Sequence, residues 1–224
     1  MSKTLSEIIR DELGLNKTQV SESYITQAKK HDLRTELLSK KTKEEHQKLL
    51  EGYVKALNDV SIKLDAADRD KSNPNHSEFG NLKREEVYNM NAAYLHALYF
   101  DNISDLRSVI TMDSLAFMKI ERDFGSFDAW QKDFVACGLS SRNGWAIMGY
   151  SLMLKRYINI VVDLHNQNIP VGFVPCIVLD CWEHAYYRDY LADRKTYIYG
   201  MMKEFNWSTI EERMVKAEKM AKIQ

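Results

Sequence analysis

The sequence predicts an α+β protein. A long N-terminal helical hairpin precedes a C-terminal domain with a small, about three-stranded antiparallel sheet flanked by helices. In the first half, apolar residues recur at three- and four-residue spacing, as on a helix with one buried face. In the second half, short runs rich in β-branched and aromatic residues are typical of strands, and helical segments surround them.

The hairpin consists of two predicted helices joined by a polar loop. The first helix spans residues 39–64, and the second runs from about residue 83 to residue 102. The loop, residues 68–81, contains Pro74, which disfavours continued helix. Because this connection is short, we expect the two helices to pack antiparallel. The apolar face of the first helix contains Leu49, Leu50, Tyr53, Val54, Leu57 and Val60.

The second half opens on a helix signalled by Phe-Gly-Ser-Phe-Asp at residues 124–128, where either Ser126 or Asp128 is a suitable cap. Strands follow, and the middle one carries the run Tyr-Ile-Asn-Ile-Val-Val. Helices return from Trp182 to the end of the chain. The three predicted strands are residues 144–150, 157–164 and 174–180.

Length and composition narrow the class of protein. A chain of 224 residues can bury a full core, and we expect an N-terminal extension (1–22), a hairpin domain (23–104) and a C-terminal domain (105–224). Its 31 Lys and Arg nearly balance its 32 Asp and Glu, so the charge indicates neither a nucleic-acid nor an anionic-membrane partner. No apolar run has the length of a bilayer span, and the N-terminus lacks the apolar stretch of a secretory signal.

The cysteines indicate a reducing compartment. Cys137, Cys176 and Cys181 form no Cys-x-x-Cys pair, and an odd number argues against a disulfide framework. We therefore expect free thiols and a cytoplasmic location.

The most informative segment follows the third predicted strand and reads Asp180-Cys-Trp-Glu-His184-Ala-Tyr-Tyr187. An Asp oxygen and a His nitrogen four residues apart are good ligands for a divalent or trivalent metal, although an isolated pair of this kind is more often a helix cap and a surface His. Together with Asn206-Trp207, the segment resembles the C-terminal signature of the iron/manganese superoxide dismutases. The resemblance covers about residues 34–215. It implies that Asp180 and His184 bind metal and that Glu183 and Tyr187 lie at a dimer interface.

The second helix supplies a third candidate ligand, His96. Ala92 and Ala93 lie one turn before it and leave room for its ring beside a packed helix. A lone His on such a face is more often a hydrogen-bonded core residue than a ligand. Here the segment resembles the family's Asn-His-x-x-(Phe/Tyr)-Trp motif, in which the His is a ligand, with Leu95 and Phe100 departing from the pattern.

The first helix supplies the fourth candidate ligand, His46. Leu-Ser-x-x-Thr-x-x-x-His ending at His46 resembles the family's first motif, and Tyr53-Val-x-x-Leu-Asn resembles the next, but the spacing between them is one residue short. We infer that the family helix carries a π-bulge that this chain has lost. Seven residues make two turns, so His46 and Tyr53 still share one helix face. The alternative register puts Glu45 at the ligand position. The family's interface His has no counterpart, because Leu49 and Leu50 stand there.

The resemblance also implies groups around the metal. A Gln or His near the solvent molecule on the metal is expected, and His165 is the first candidate and Gln167 the second; the alternative for both is a surface loop. Tyr53, at the mouth, would orient solvent and relay protons. Trp145, Trp182 and Phe100 would wall the site. His31, after two lysines, and His76, in the polar loop, are expected to be solvated.

The resemblance implies an antioxidant oxidoreductase, a homodimer that disproportionates superoxide by one-electron cycling of one iron or manganese ion per subunit. Two alternatives stay open. The departures at Leu49, Leu50 and Phe100, with the missing residue, are compatible with a fold relative that binds metal but has lost or altered activity. A zinc-dependent hydrolase fits less well, because zinc sites favour four-coordinate Cys and His sets. The sequence does not choose between iron and manganese, since surrounding groups set the redox potential.

Overall fold

The computed structural model describes residues 24–103 and 108–223, so the predicted N-terminal extension lies outside the described residues. The described part confirms the α+β fold, with a helical hairpin followed by a three-stranded antiparallel sheet among helices. Its elements are α1 (Lys40–Ala66), α2 (Glu78–Asn102), α3 (Leu115–Phe124), α4 (Phe127–Ser140), β1 (Gly144–Ser151), β2 (Arg156–Asp163), β3 (Phe173–Asp180), α5 (Glu183–Tyr190), α6 (Arg194–Lys203) and α7 (Trp207–Ala221).

The hairpin helices begin at serine caps. The Ser39 side chain accepts a hydrogen bond from the backbone N–H of Thr42, which satisfies one of the free donors at the start of α1. The Ser77 side chain does the same for Gly80, so α2 begins at Glu78. The prediction that the loop continues to residue 81 and the helix begins near residue 83 was therefore wrong. Helix α1 is α-helical without interruption, as expected for a chain that lacks the bulge.

Helix α3 ends and helix α4 begins at a glycine–serine pair. Helix α3, which the sequence did not predict, ends at Gly125, whose φ of 85° is a left-handed conformation that glycine adopts readily. Ser126 then caps α4 by accepting from the N–H of Ala129, so Ser126 and not Asp128 is the cap. The fully buried residues of α3 are Ala116 and Ile120.

The sheet has the strand order β2-β1-β3, and both pairings are antiparallel. The central strand β1 is buried along its whole length. Trp145 on β1 pairs directly with Asp180 at the end of β3, and residues directly opposite in an antiparallel pair project to the same face. The indole of Trp145 and the carboxylate of Asp180 therefore lie side by side at this end of the sheet, next to the hairpin.

All three cysteines lie in the described part of the chain and are free, as expected; Cys176 and Cys181 are buried. None of the described helices combines the length and the apolar character that crossing a membrane requires.

Candidate metal centre

Four side chains that could hold a metal ion converge between the hairpin and the sheet. They are His46, His96, Asp180 and His184, and one ligand atom from each lies within 4.8 Å of the other three. Oδ2 of Asp180 lies 3.0 Å from Nε2 of His46, 3.1 Å from Nε2 of His184 and 3.6 Å from Nε2 of His96. No other group of three or more His, Cys, Asp or Glu side chains within residues 24–103 and 108–223 has this geometry.

Each candidate ligand is held by a different element. His46 lies on α1 and His96 on α2, both with fully buried rings, while His184 lies in the first turn of α5 and is partly exposed. Asp180 ends β3, where its Oδ1 accepts from the backbone N–H of Trp182 at 2.8 Å. Its own carbonyl accepts from the hydroxyl of Tyr197 at 2.8 Å. These bonds fix the Asp180 carboxylate so that Oδ2 faces the three imidazoles.

The His96 ring shows that this group of atoms fits a cation. Its Nδ1–H donates to the carbonyl of Ala92 at 2.6 Å, so Nε2 of the neutral ring carries a lone pair. That Nε2 is buried, has no hydrogen-bond partner and faces the Oδ2 of Asp180. Two lone pairs that face each other in a buried site repel unless a positive charge lies between them. Ligand atoms at about 2.0–2.2 Å from one ion lie about 2.8–3.8 Å apart for bond angles of 90–120°, which matches the observed spacing.

Burial and mutual contact shift the pKa values of His46, His96 and Asp180 toward the protonation states that bind metal. It lowers the pKa of His46, although the nearby Asp180 carboxylate partly opposes this. Burial and the neighbouring His46 hold the pKa of His96 well below its usual value. Burial by itself would raise the pKa of Asp180, but the adjacent His184 and His46 rings outweigh it and hold that pKa well below its usual value. At neutral pH the group therefore offers the neutral imidazoles of His46 and His96 and the ionised carboxylate of Asp180.

The continuous first helix brings His46 into the group and leaves Glu45 outside. Glu45 lies on the outer side of α1, where its carboxylate accepts from Lys41 at 2.6 Å and from Lys48 at 3.0 Å. Tyr53, two turns after His46, also reaches the site, and its ring lies 5.2 Å from the ring of His96. His46 and Tyr53 therefore share one face of α1, as the seven-residue spacing predicts.

His165 lies beside the four-residue group and is hydrogen-bonded at both ring nitrogens. The indole N–H of Trp145 donates to Nδ1 at 3.1 Å, and Nε2 lies 3.1 Å from the Tyr53 hydroxyl oxygen. An indole is only a donor, so Nδ1 is the acceptor and the proton of the neutral ring is on Nε2. Burial lowers the pKa of His165 to about 4, with Asp180 partly opposing, which keeps the ring neutral at neutral pH. His165 thus donates to Tyr53. The Gln167 side chain is exposed on the same loop.

Aromatic rings enclose the site on several sides. Trp182 stacks between His165, at 5.0 Å, and His184, at 5.8 Å. Phe100 meets His46 edge to face at 4.9 Å, and Trp145 meets His96 in the same way at 4.9 Å. The three side chains predicted as walls all lie against candidate ligands or against His165.

Comparison with known proteins identifies the family. Residues 113–213 match the model of the C-terminal domain of iron/manganese superoxide dismutases. The superoxide dismutase [Fe] of Aquifex aeolicus is 39% identical over 171 residues, which are 75% of this chain and 79% of that protein. The chain belongs to the iron/manganese superoxide dismutase family. Other similar relatives are the superoxide dismutase [Fe] of Cupriavidus metallidurans, 34% identical over 74% of this chain and 82% of the relative, and the superoxide dismutase [Mn] of Mycolicibacterium fortuitum, 29% identical over 77% and 82%.

In this family member an open cleft of about 430 Å³ leads to the candidate metal group. Exposed Glu183 and Tyr187 line it, with Tyr187 51% exposed. Leu49 also lines the cleft, and Leu49 with buried Leu50 stands where the family resemblance implies an interface histidine. The complete lining is Thr42, Glu45, His46, Leu49, Glu183, His184, Tyr187 and Arg188. The cleft therefore presents the residues of the predicted dimer interface around the opening of the site.

Two residues near the site were missed or misjudged from the sequence. Tyr88 on α2 lies 4.8 Å from His165, ring centre to ring centre, although no motif marks it. The prediction that His31 is solvated was wrong, because its side chain is 2% exposed and its Nδ1 lies 3.3 Å from Asp101. The His31 ring also packs against Phe100 at 5.2 Å. A helical spacing of eight residues from His96 was the only sequence signal for Tyr88.

Proposed function

We propose that this protein is a superoxide dismutase that binds one iron or manganese ion per subunit through His46, His96, Asp180 and His184. The observation that carries the proposal is the buried, unpartnered Nε2 of His96, which faces a carboxylate oxygen among two further imidazoles. Three imidazoles and one carboxylate suit iron or manganese. Dismutases of both metals, by their names, are among the relatives.

Bound at these four residues, iron or manganese would supply the one-electron redox couple that disproportionation of superoxide requires. In total, two superoxide anions and two protons become one dioxygen and one hydrogen peroxide. The protein has to hold the ion, admit a small anion and deliver protons. The ligand group serves the first task, the cleft between α1 and α5 the second, and Tyr53 with His165 the third.

Proton delivery follows from the direction of the hydrogen bonds. His165 donates its Nε2 proton to the Tyr53 oxygen, so the Tyr53 O–H is left to donate into the site. Burial raises the pKa of Tyr53 to about 12, and the nearby Tyr88 and Asp180 add to this shift. Tyr53 therefore holds its proton at neutral pH. An imidazole has a single N–H in its neutral form, so His165 acts on the site through Tyr53.

Direct metal analysis of protein purified from its own host, together with a dismutase assay, tests the proposal. We expect close to one iron or manganese ion per chain and dismutase activity. Zinc alone at the site would support a hydrolytic enzyme instead. Iron or manganese without activity would support the second candidate, a fold relative that keeps the metal. Leu49 in the cleft favours that candidate, whereas the shared face of His46 and Tyr53 argues against it.

We also propose a homodimer whose interface includes Glu183 and Tyr187. Both side chains are exposed at the cleft that surrounds His184. Two copies of one surface patch that face each other form an isologous dimer, the commonest arrangement of soluble oligomers. A cytoplasmic location is also proposed, because all three cysteines are free.

Replacing His165 with Ala is expected to leave the metal content unchanged, to lower turnover about 10- to 100-fold and to shift the redox potential of the metal. The reason is that Tyr53 loses the donor that orients its hydroxyl. Metal analysis, steady-state assays and a redox titration measure the three effects. Gln167→Ala is the matched control, an exposed residue on the same loop that should behave like the wild type. A full effect of Gln167→Ala with none from His165→Ala would reverse the assignment.

A further inference from the structure

The His165 ring is surrounded by aromatic side chains from four different parts of the chain. Trp182 stacks on it at 5.0 Å, and Tyr53 from α1 meets it edge to face at 5.0 Å. The shortest of these ring distances, 4.8 Å at an interplanar angle of 69°, belongs to Tyr88 from α2. Tyr88 has no counterpart in any motif of the sequence, so its place against His165 is a result of the tertiary fold alone.

Tyr88 covers the hydrogen-bonded pair of Tyr53 and His165. Its ring lies 6.5 Å from the ring of Tyr53 as well as 4.8 Å from that of His165. Tyr88 is only partly buried, whereas His165 is 0% exposed. A partly exposed ring that contacts both members of a more deeply buried pair separates that pair from solvent.

The orientation of the His165 ring needs such support. The ring lies on the loop between β2 and β3, where Leu164, with φ 54°, and Asn168, with φ 68°, hold the backbone in left-handed conformations. The Leu164 N–H donates to the Asn143 carbonyl at 2.6 Å, which anchors the loop but not the ring. Rotation about the last side-chain bond of a histidine is soft, and a half turn places ring carbons where the two nitrogens were. That half turn breaks the bonds to both Trp145 and Tyr53.

We propose that Tyr88 is a positioning residue: its ring holds the His165 imidazole in the one orientation that accepts from Trp145 and donates to Tyr53. The expected effect of Tyr88 on turnover rests on the proposed function. Its role in orienting the His165 ring rests on the ring contacts alone. The Tyr88 hydroxyl takes part in neither hydrogen bond, so the ring, and not the hydroxyl, is the part that acts. His96 also lies on α2. This one helix would therefore hold both a metal ligand and Tyr88, the residue that supports the hydrogen bonds of His165.

The test compares Tyr88→Ala, Tyr88→Leu and Tyr88→Phe in the full chain. Tyr94→Ala is the control, an exposed tyrosine of the same helix α2, which has no ring contact with the site among the described residues. With ¹⁵N-labelled tryptophan in the metal-free protein, hydrogen exchange of the Trp145 indole N–H reports its bond to His165. We expect exchange to be about tenfold faster in Tyr88→Ala and Tyr88→Leu, and unchanged in Tyr88→Phe and Tyr94→Ala.

In the metal-loaded enzyme, Tyr88→Ala should lower kcat about tenfold with little change in KM or metal content, and Tyr88→Phe should restore it. Unchanged indole exchange in Tyr88→Ala would overturn the proposal, as would a Tyr88→Phe variant as impaired as Tyr88→Ala. The exchange experiment needs neither metal nor activity. If the wild type proved to lack dismutase activity, the proposed function would fail while the exchange rates still decided the role of Tyr88.

Discussion

Replacing Asp180 with Ala is expected to cost the protein nearly all of its bound metal, with affinity at least about 100-fold lower, since even partners behind the ligands contribute about 10- to 100-fold. Asp180 is the single carboxylate in the four-residue group, and all three imidazoles face its Oδ2. Without it, no anionic ligand balances the charge of the ion in a buried site. His46→Ala, His96→Ala and His184→Ala should each reduce bound metal sharply for the same reason.

Metal content after purification and after dialysis against a chelator measures this effect. Glu45→Ala is the control, because Glu45 is next to His46 in sequence but bonds to Lys41 and Lys48 on the outer side of α1. The control should keep its metal. Full metal in His46→Ala together with metal loss in Glu45→Ala would show that the register of the first helix is wrong.

The same substitution should affect stability differently with and without metal. In the metal-free protein Asp180→Ala removes the buried acceptor of the Trp182 backbone N–H, and a buried donor left without its partner costs about 1–3 kcal/mol. In the metal-loaded protein the ligand stabilises the native state through its own affinity, so losing it lowers the melting temperature. Thermal melts of both forms should therefore show that Asp180→Ala lowers the melting temperature of the metal-free protein moderately and also loses the stabilisation by metal.

The structure brings together the four side chains that the family resemblance marked as candidate ligands, and local geometry accounts for part of this arrangement. His46 and Tyr53 are two helical turns apart, and the helical period alone puts them on one face. Asp180 ends a strand and His184 follows in the next helix, so a short segment positions both. Local periodicity and helix capping also indicate the helices and strands that define the fold. This explains why the fold class and all three strands were predicted.

What the sequence misplaced or left open has both long-range and local causes. His31 was expected in solvent because two lysines precede it, but Asp101 and Phe100, about seventy residues away, bury it. The sequence ranked His165 before Gln167 but could not fix which side chain the loop turns inward, because that depends on packing against Trp145 and Tyr53. The start of α2 was placed too late because Pro74 and its polar neighbours extended the predicted loop past the Ser77 cap.

Replacing Glu183 with Ala is expected to weaken both subunit association and metal retention, each by about tenfold or more. Nε2 of His184 faces Asp180, so its other nitrogen, Nδ1, is free for a different partner. His184 and exposed Glu183 line one open cleft. In an isologous dimer, Glu183 of the partner subunit can accept from that Nδ1–H and fix the ring for metal binding, as carboxylates behind metal-bound histidines do.

The proposed contact matters more because Leu49, which lines the same cleft as Tyr187, cannot hydrogen-bond it. Sedimentation at micromolar concentration and metal analysis measure the two effects. Glu78→Ala is the matched control: Glu78 is also an exposed glutamate in a first helical turn, so it reproduces the lost interaction with the helix dipole. A wild-type monomer that holds metal and dismutates superoxide would exclude the dimer, and equal effects of both substitutions would assign the loss to the helix terminus instead.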